Sequence, residues 1–108
     1  MKIYEGRRTW RGVEVMVNGQ PLNPRLDLWN HSPDGFEWGY GGSGPAQLAL
    51  AILADHLSDN QQALDCYQRF KWAVIAELPR RGWALNSSDI DQALQRISDE
   101  AAVAGGAA

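Results

Sequence analysis

A glycine-rich stretch followed by an almost continuous apolar run constrains this chain more than any other feature. From Ala46 to Ala54 every residue is apolar except Gln47, and Pro45 directly follows Gly44. Proline is favoured in the first turn of a helix, where its missing N–H has no helical partner. The sequence therefore predicts a helix whose N-cap is Ser43 or Gly44. We expect this helix to be fully buried, because a helix that is apolar all round belongs inside a core.

Upstream of this helix, the residue pattern predicts short β-strands. Lys2 to Glu5 is typical of a strand, and Gly6 is predicted to end it. Between Trp10 and Leu22, valines alternate with other residues up to Asn18-Gly19. Asn-Gly is the strongest short hairpin signal, because both turn positions require positive φ. The returning strand contains a proline, so we expect it to lie at an edge of the sheet.

A second hairpin is predicted from Arg25–Asn30 and Phe36–Tyr40, joined by a five-residue loop. This loop length places Leu28 opposite Trp38 and gathers the apolar side chains on one face. A four-residue loop would divide them between both faces, which burial disfavours. In the predicted register, the opposite face carries Arg25, Asp27, Trp29 and Glu37.

The remainder of the chain is predicted to be mainly helical. A helix is expected from Gln61 to Leu78, followed by a connector at Gly82–Leu85 and a third helix that begins at Ser87-Ser88. Strands followed by helices indicate an α+β fold. We expect an antiparallel sheet of about four to five short strands packed on three helices. Residues 1–100 should form one domain, and residues 101–108 a flexible Ala/Gly tail.

Composition limits the classes of function. The 108 residues are 44% hydrophobic and carry a net charge of −3, which disfavours extensive nucleic-acid binding. The single cysteine, Cys66, and an N-terminus without a signal-peptide pattern predict a cytoplasmic protein. The apolar run is far shorter than the about 20 residues that a membrane-spanning helix needs. His31 and His56 lack partners at metal-ligand spacing, so neither a metal site nor a cofactor is predicted.

The face with Trp29 is the leading candidate site, and we expect it to bind a protein partner. An aromatic side chain flanked by mixed charges is typical of an interaction surface. Asp27 and Glu37 are the only acidic pair that the predicted register brings together. They could act in acid–base chemistry, although an ion pair between Arg25 and an acid is the alternative interpretation. The predicted binding residues are Arg25, Asp27, Trp29 and Glu37.

Two other functions remain open. The first is a nucleic-acid-associated module that uses a basic N-terminal patch consisting of Arg7, Arg8, Trp10 and Arg11. The second is a small hydrolase that uses His31, Asp34 and Glu37.

The Gly41–Gly44 loop could also hold an anion at a helix N-terminus, or it could be a tight turn into the helix. No Lys-Ser/Thr follows the glycines, so the loop does not have the P-loop pattern.

Three motifs resemble a small family that is carried under a domain-of-unknown-function label, over about residues 3–90. The motifs are Tyr4-x-Gly6-Arg7, Val17-Asn18-Gly19-x-Pro21-Leu22, and Ser32-Pro33-x-Gly35-Phe36-x-Trp38-Gly39-Tyr40-x-Gly42-Ser43-Gly44-Pro45-Ala46-Gln47-Leu48-Ala49. Such proteins are encoded in bacteria, archaea and their phages or plasmids. The resemblance implies a small accessory protein of a mobile element. From the small size, the five tryptophans and the absence of a catalytic pattern, we expect a non-enzymatic binding module directed at a host defence or regulatory complex, similar to an anti-CRISPR protein.

Overall fold

The computed structural model describes residues 1–106, including the side chains of residues 1–103. Within these residues a four-stranded antiparallel sheet and three α-helices form the α+β fold that the sequence predicts. One short 3₁₀ helix, Ile75–Glu77, follows the second α-helix. The elements are β1 (Ile3–Thr9), β2 (Gly12–Val17), β3 (Gln20–Pro21), α1 (Ser43–Leu57), α2 (Asn60–Ala73), β4 (Gly82–Asn86) and α3 (Ser87–Gly106).

The hairpin predicted from Asn18-Gly19 is confirmed. Both residues have positive φ, 48° at Asn18 and 79° at Gly19, and Met16 lies opposite Pro21. The returning strand β3 has only two residues and is an edge of the sheet, whose strand order is β3-β2-β1-β4. Its shortness follows from the proline and from the Asn23-Pro24 pair beyond it, since proline cannot donate to a β-ladder.

The prediction that Gly6 ends the first strand was wrong, as was the assignment of Gly82–Leu85 as a connector. β1 continues through Gly6 to Thr9, and β4 pairs with it so that Gly6 lies opposite Trp83. A Cβ atom at Gly6 would lie 2.4 Å from Trp83 Cε2. The glycine therefore makes room for the indole ring instead of ending the strand.

The second predicted hairpin is absent, because the residues from Arg25 to Tyr40 form no strand. Gly39 has a φ of 88°, which a strand does not allow, and its N–H donates to the carbonyl of Ile75. Trp38 is fully buried, and its indole N–H donates to the carbonyls of Pro79 and Arg80, each at 3.0 Å. Bonds to distant residues replace the ladder that the hairpin would have formed.

Helix α1 lies at the centre of the core. Residues from Gly44 to Ala54 are buried, whereas the last turn from Asp55 to Leu57 is partly exposed. The N-cap is Gly42, one residue before the predicted Ser43. In the last turn, Asp55 accepts a hydrogen bond from the Tyr4 hydroxyl at 2.5 Å, which ties the helix to β1. Burial, together with this hydrogen bond, raises the pKa of Tyr4.

Helix α2 packs against α1, and α3 packs against α2 and β4. In α2 the side chains of Ala63, Tyr67 and Phe70 are buried, but the helix ends at Ala73 instead of the predicted Leu78. In α3 the buried face consists of Ile90, Ala93 and Ile97. The tail predicted from Ala101 is helical up to Gly106, and its last two residues lie outside the described part of the chain.

Among residues 1–106, no helix has both the length and the apolar character needed to cross a membrane.

Candidate functional site

A fully buried glutamine of helix α1, Gln47, holds the loop that carries Trp29. Its side-chain oxygen accepts hydrogen bonds from the N–H groups of His31 (2.7 Å) and Ser32 (3.2 Å). Its amide nitrogen donates to the carbonyls of Pro24 (2.6 Å) and Trp29 (3.0 Å). Both donors and both bonded positions on the oxygen are therefore used. One side chain from the core fixes the backbone at both ends of residues 24–32.

Trp29 projects from this loop towards solvent. Its side chain is 57% exposed and stacks on the ring of His31, with centroids 5.7 Å apart and an interplanar angle of 28°. His31 Nε2 lies 2.6 Å from the hydroxyl of the buried Tyr67 in α2. Burial, followed by the charge of Lys71, lowers the pKa of His31. The exposed indole is therefore supported by a neutral imidazole that is itself bonded to α2.

Arg25 and Asp27 form an ion pair on the same loop. The Arg25 guanidinium contacts both carboxylate oxygens of Asp27 at 3.1 Å and donates to the side chain of Asn60 at 3.2 Å. The hydrogen bond from Arg25 lowers the pKa of Asp27. The expected pairing of Arg25 with an acid is present, but it lies within a loop and not across two strands. We call Arg25, Asp27 and Trp29 the Trp29 surface.

Glu37 does not join this surface, which corrects the predicted four-residue face. Its carboxylate binds the guanidinium of Arg8 in β1 through two hydrogen bonds of 2.7 and 3.0 Å. These hydrogen bonds lower the pKa of Glu37. The Arg8 guanidinium also lies 4.7 Å from the centre of the Trp38 ring. Because the second hairpin does not form, Asp27 and Glu37 are not a pair.

The predicted basic patch is divided by the sheet. Arg7 and Arg8 are consecutive strand residues, so their side chains point to opposite faces. Arg7 pairs with Glu14 at 2.8 Å, and Arg8 pairs with Glu37. Trp10 and Arg11 form the tip of the β1–β2 hairpin. Trp10 is 88% exposed, and the Arg11 guanidinium lies 4.8 Å from the centre of the Trp10 ring. Only Arg11 of the three arginines has no acidic partner among the described residues.

The residues of the hydrolase hypothesis are also engaged separately. His31 is bonded to Tyr67 and Glu37 to Arg8, while Asp34 is exposed at a turn. The two histidines are likewise apart, since His56 Nε2 contacts Asp91 at 2.6 Å. Across residues 1–106, no group of three or more His, Cys, Asp or Glu side chains could hold a metal ion.

The glycines of the loop before α1 allow close packing. A Cβ atom at Gly41 would lie 2.1 Å from the Trp72 ring, and one at Gly44 would lie 2.7 Å from the Cβ of Glu37. The loop is therefore a tight connection into α1, packed beneath Trp72, as one of its two sequence interpretations predicts.

Sequence reasoning missed Gln47 and Tyr67. Gln47 was visible as the only polar residue in the apolar run, and buried polar groups need hydrogen-bond partners. Its partners are backbone groups, however, which leave no trace in the side-chain sequence. In the sequence, Tyr67 stands at helical spacing between Ala63 and Phe70, so it is read as part of an apolar stripe and its hydroxyl gives no separate signal.

Comparison with known proteins identifies the family of the chain. Neither curated proteins nor solved structures include a match to it. The family of unknown function DUF6166 matches residues 4–96, which include the strands, helices α1 and α2, and the Trp29 surface. This match spans most of the 108 residues. The chain therefore belongs to the family of unknown function DUF6166.

Proposed function

We propose that this chain is a non-enzymatic module that binds a protein partner through the Trp29 surface. The observation that carries the proposal is the attachment of an exposed tryptophan to the core. Trp29 is 57% exposed, yet its own carbonyl is bonded to a residue that is fully buried. Tryptophan and arginine are the side chains that most often dominate binding energy at protein interfaces.

The fixed loop supports this function because it lowers the entropic cost of binding. A mobile loop must be ordered when its partner docks, and each immobilised side chain costs about 0.5–1.5 kcal/mol. Here Gln47 holds the backbone, and His31 supports the indole from below. The Trp29 surface is therefore arranged before the partner arrives.

The chemistry of the surface indicates the kind of partner. The Arg25–Asp27 pair is neutral as a unit, so the surface offers an exposed indole and, two residues earlier in the same loop, an ion pair. Its complement is a shallow apolar pocket with polar groups at its rim, which is the usual anatomy of a protein interface. The resemblance to proteins of mobile elements leads us to expect this partner among host defence or regulatory complexes.

Affinity capture with matched tryptophan variants tests the proposal. Tagged wild-type chain, Trp29→Ala and Trp72→Ala are used to capture proteins from a lysate of the source cells. Trp72 is the control because it is similarly exposed, at 60%, but lies on helix α2. We expect at least one protein to be captured by the wild type and by Trp72→Ala and to be lost with Trp29→Ala. Loss of an anchor tryptophan typically weakens binding by about 2 kcal/mol or more, roughly 30-fold.

The same capture can contradict the proposal. If Trp29→Ala and the wild type recover the same proteins in the same amounts, the Trp29 surface is not the binding site. A Trp10→Ala variant then tests the hairpin tip. Recovery of nucleic acid that depends on Arg11 would favour the nucleic-acid alternative.

A further inference from the structure

Strand β2 has an open edge beyond the end of β3. In the β2–β3 ladder, Val17 lies opposite Gln20, and the N–H of Leu22 donates to the carbonyl of Val15 at 3.0 Å. The next position of this register would place Pro24 opposite Val13. Proline has no N–H to donate, and the Pro24 carbonyl is already bonded to Gln47. The chain therefore leaves the sheet before it reaches Val13.

The register of β2 shows which backbone groups this leaves unpaired. In an antiparallel ladder, successive residues direct their N–H and C=O groups alternately to the two neighbouring strands. Asn18 donates to Ile3 of β1, so Met16 and Glu14 also bond towards β1. Val17, Val15 and Val13 bond in the opposite direction. Val13 thus directs both of its backbone groups to the open edge, where no described residue bonds them.

A groove lies along this edge. It has a volume of about 540 Å³ and is lined from both faces of the sheet. Val13, Val15 and Phe36 line it on the core side, while Met16 and Pro21 belong to the opposite face. A strand added beside Val13 would alternate its side chains between this apolar core side and the outer side, which also carries Arg7 and Glu14.

The charges around the groove indicate an acidic ligand. Arg7 and Glu14, which line the groove on the outer face, neutralise each other, with 2.8 Å between the charged groups. Arg11 stands at the adjacent hairpin tip beside the exposed Trp10, without an acidic partner among the described residues. The end of the groove near the tip therefore carries one uncompensated positive charge.

We propose that the open edge of β2 at Val13 binds an extended peptide segment of a partner protein, apolar at alternate positions and acidic where it passes Arg11. The segment adds as a strand, exchanging backbone hydrogen bonds with both groups of Val13. Its acidic side chain pairs with Arg11, and Trp10 covers the neighbouring residue. This site is separate from the Trp29 surface and does not depend on it.

Selection of random linear peptides displayed on phage against the full chain tests this proposal. We expect enriched peptides that combine alternating apolar residues with an acid. Added to isotopically labelled chain, they should shift the amide resonances of Gly12–Val15 and slow the hydrogen exchange of the Val13 amide. Val13→Pro removes a donor that the fold does not use, so it should weaken binding by about tenfold, whereas Val13→Thr should not. Arg11→Glu should weaken the acidic peptides by a similar factor.

Several outcomes would overturn the inference. These are the absence of any enriched peptide, resonance shifts confined to the Trp29 surface, or an unchanged exchange rate of the Val13 amide in the wild-type complex. Sedimentation of the free chain as a dimer that Val13→Pro dissociates would assign the edge to a second copy instead. The exchange measurement uses the wild type, so it decides the matter even if Val13→Pro does not fold. Trp29→Ala should leave peptide binding unchanged, which separates this test from that of the Trp29 surface.

Discussion

At the scale of single residues, the buried side chain of Gln47 links helix α1 to the loop that carries Trp29. An amide inside an apolar helix is costly unless its donors and acceptors are bonded, and those of Gln47 are bonded to four backbone groups of the Trp29 loop. The amide can be buried only because the loop backbone supplies its hydrogen-bond partners. A substitution of Gln47, or a displacement of the loop, would leave buried polar groups on the other side without partners.

We predict that Gln47→Leu destabilises the protein strongly. Leucine has a similar volume, but it leaves the N–H groups of His31 and Ser32 without their acceptor. Each buried group left without a partner costs about 1–3 kcal/mol, so the free energy of unfolding should fall by about 3 kcal/mol or more. Urea denaturation measures this change.

The matched control for that prediction is Gln68→Leu, at an exposed position of helix α2. Surface changes of this kind usually alter the free energy of unfolding by no more than about 0.5 kcal/mol. Equal stability of Gln47→Leu and Gln68→Leu would contradict the role assigned to the buried amide.

At the scale of elements, the entry into α1 depends on a glycine that touches the preceding loop. A Cβ atom at Gly44 would lie 2.7 Å from the Cβ of Glu37 and 3.2 Å from its backbone nitrogen. Real Cβ atoms do not approach a neighbour so closely. Any side chain at Gly44 therefore separates α1 from the segment that leads to Trp38.

We predict that Gly44→Ala lowers the free energy of unfolding by about 1–3 kcal/mol, the usual cost of overpacking a core. Ser43→Ala, one residue earlier and exposed, is the control and should change little. The midpoint of thermal unfolding is the measurement. A Gly44→Ala protein as stable as the wild type would show that the loop before α1 has room that the structure does not give it.

The elements also show what the sequence could predict and what it could not. The Asn18-Gly19 hairpin and the start of α3 at Ser87 were predictable, because their signals are local. Strand β4 was not, since its pairing depends on the fit of Trp83 over Gly6, and these residues are far apart in sequence.

The alternation of apolar and polar residues between positions 25 and 40 favoured a hairpin, because only neighbouring residues were considered. The bonds of Gln47 and Trp38 to distant backbone groups override it.

The candidate site also combines residues that the sequence could place with others that it could not. Arg25, Asp27 and Trp29 were predictable as a group, because they are close in sequence and remain together in one loop. The prediction that Glu37 lies on the same face as Trp29 depended on the second hairpin. Because that hairpin does not form, this prediction was wrong. The partner of Glu37, Arg8, was predicted only as part of a basic patch. An ion pair across 29 residues has no periodicity that a sequence could reveal.

At the scale of the whole molecule, Arg8 joins three parts of the chain. Its guanidinium binds Glu37, stacks on Trp38 and donates to the carbonyl of Arg80 at 2.7 Å. Strand β1, the loop before α1 and the connection to β4 therefore meet at one side chain. This arrangement makes stability depend on the ionisation of Glu37.

We predict that the protein loses stability in two steps as the pH falls. The folded state lowers the pKa of His31, so below about pH 6.5 the unfolded chain takes up a proton that the folded chain does not. It also lowers the pKa of Glu37, so a further loss follows as the pH falls below about 4.5. Urea denaturation at a series of pH values measures both steps.

Two variants assign these steps to their residues. His31→Gln should remove the dependence that begins near pH 6.5, and Glu37→Gln should reduce the later one, to which Asp27 also contributes, while lowering stability at neutral pH. A pH profile of His31→Gln parallel to that of the wild type would contradict the assignment of the first step.

Backbone hydrogen exchange of the His31 and Ser32 amides tests most directly whether the Trp29 loop is fixed to the core. Both amides donate to the fully buried Gln47. They should therefore exchange slowly, through openings about as rare as global unfolding, although their loop contains no regular secondary structure. Exchange of these two amides at the rate of an open chain would contradict the account, because Trp29 would then lie on a mobile loop.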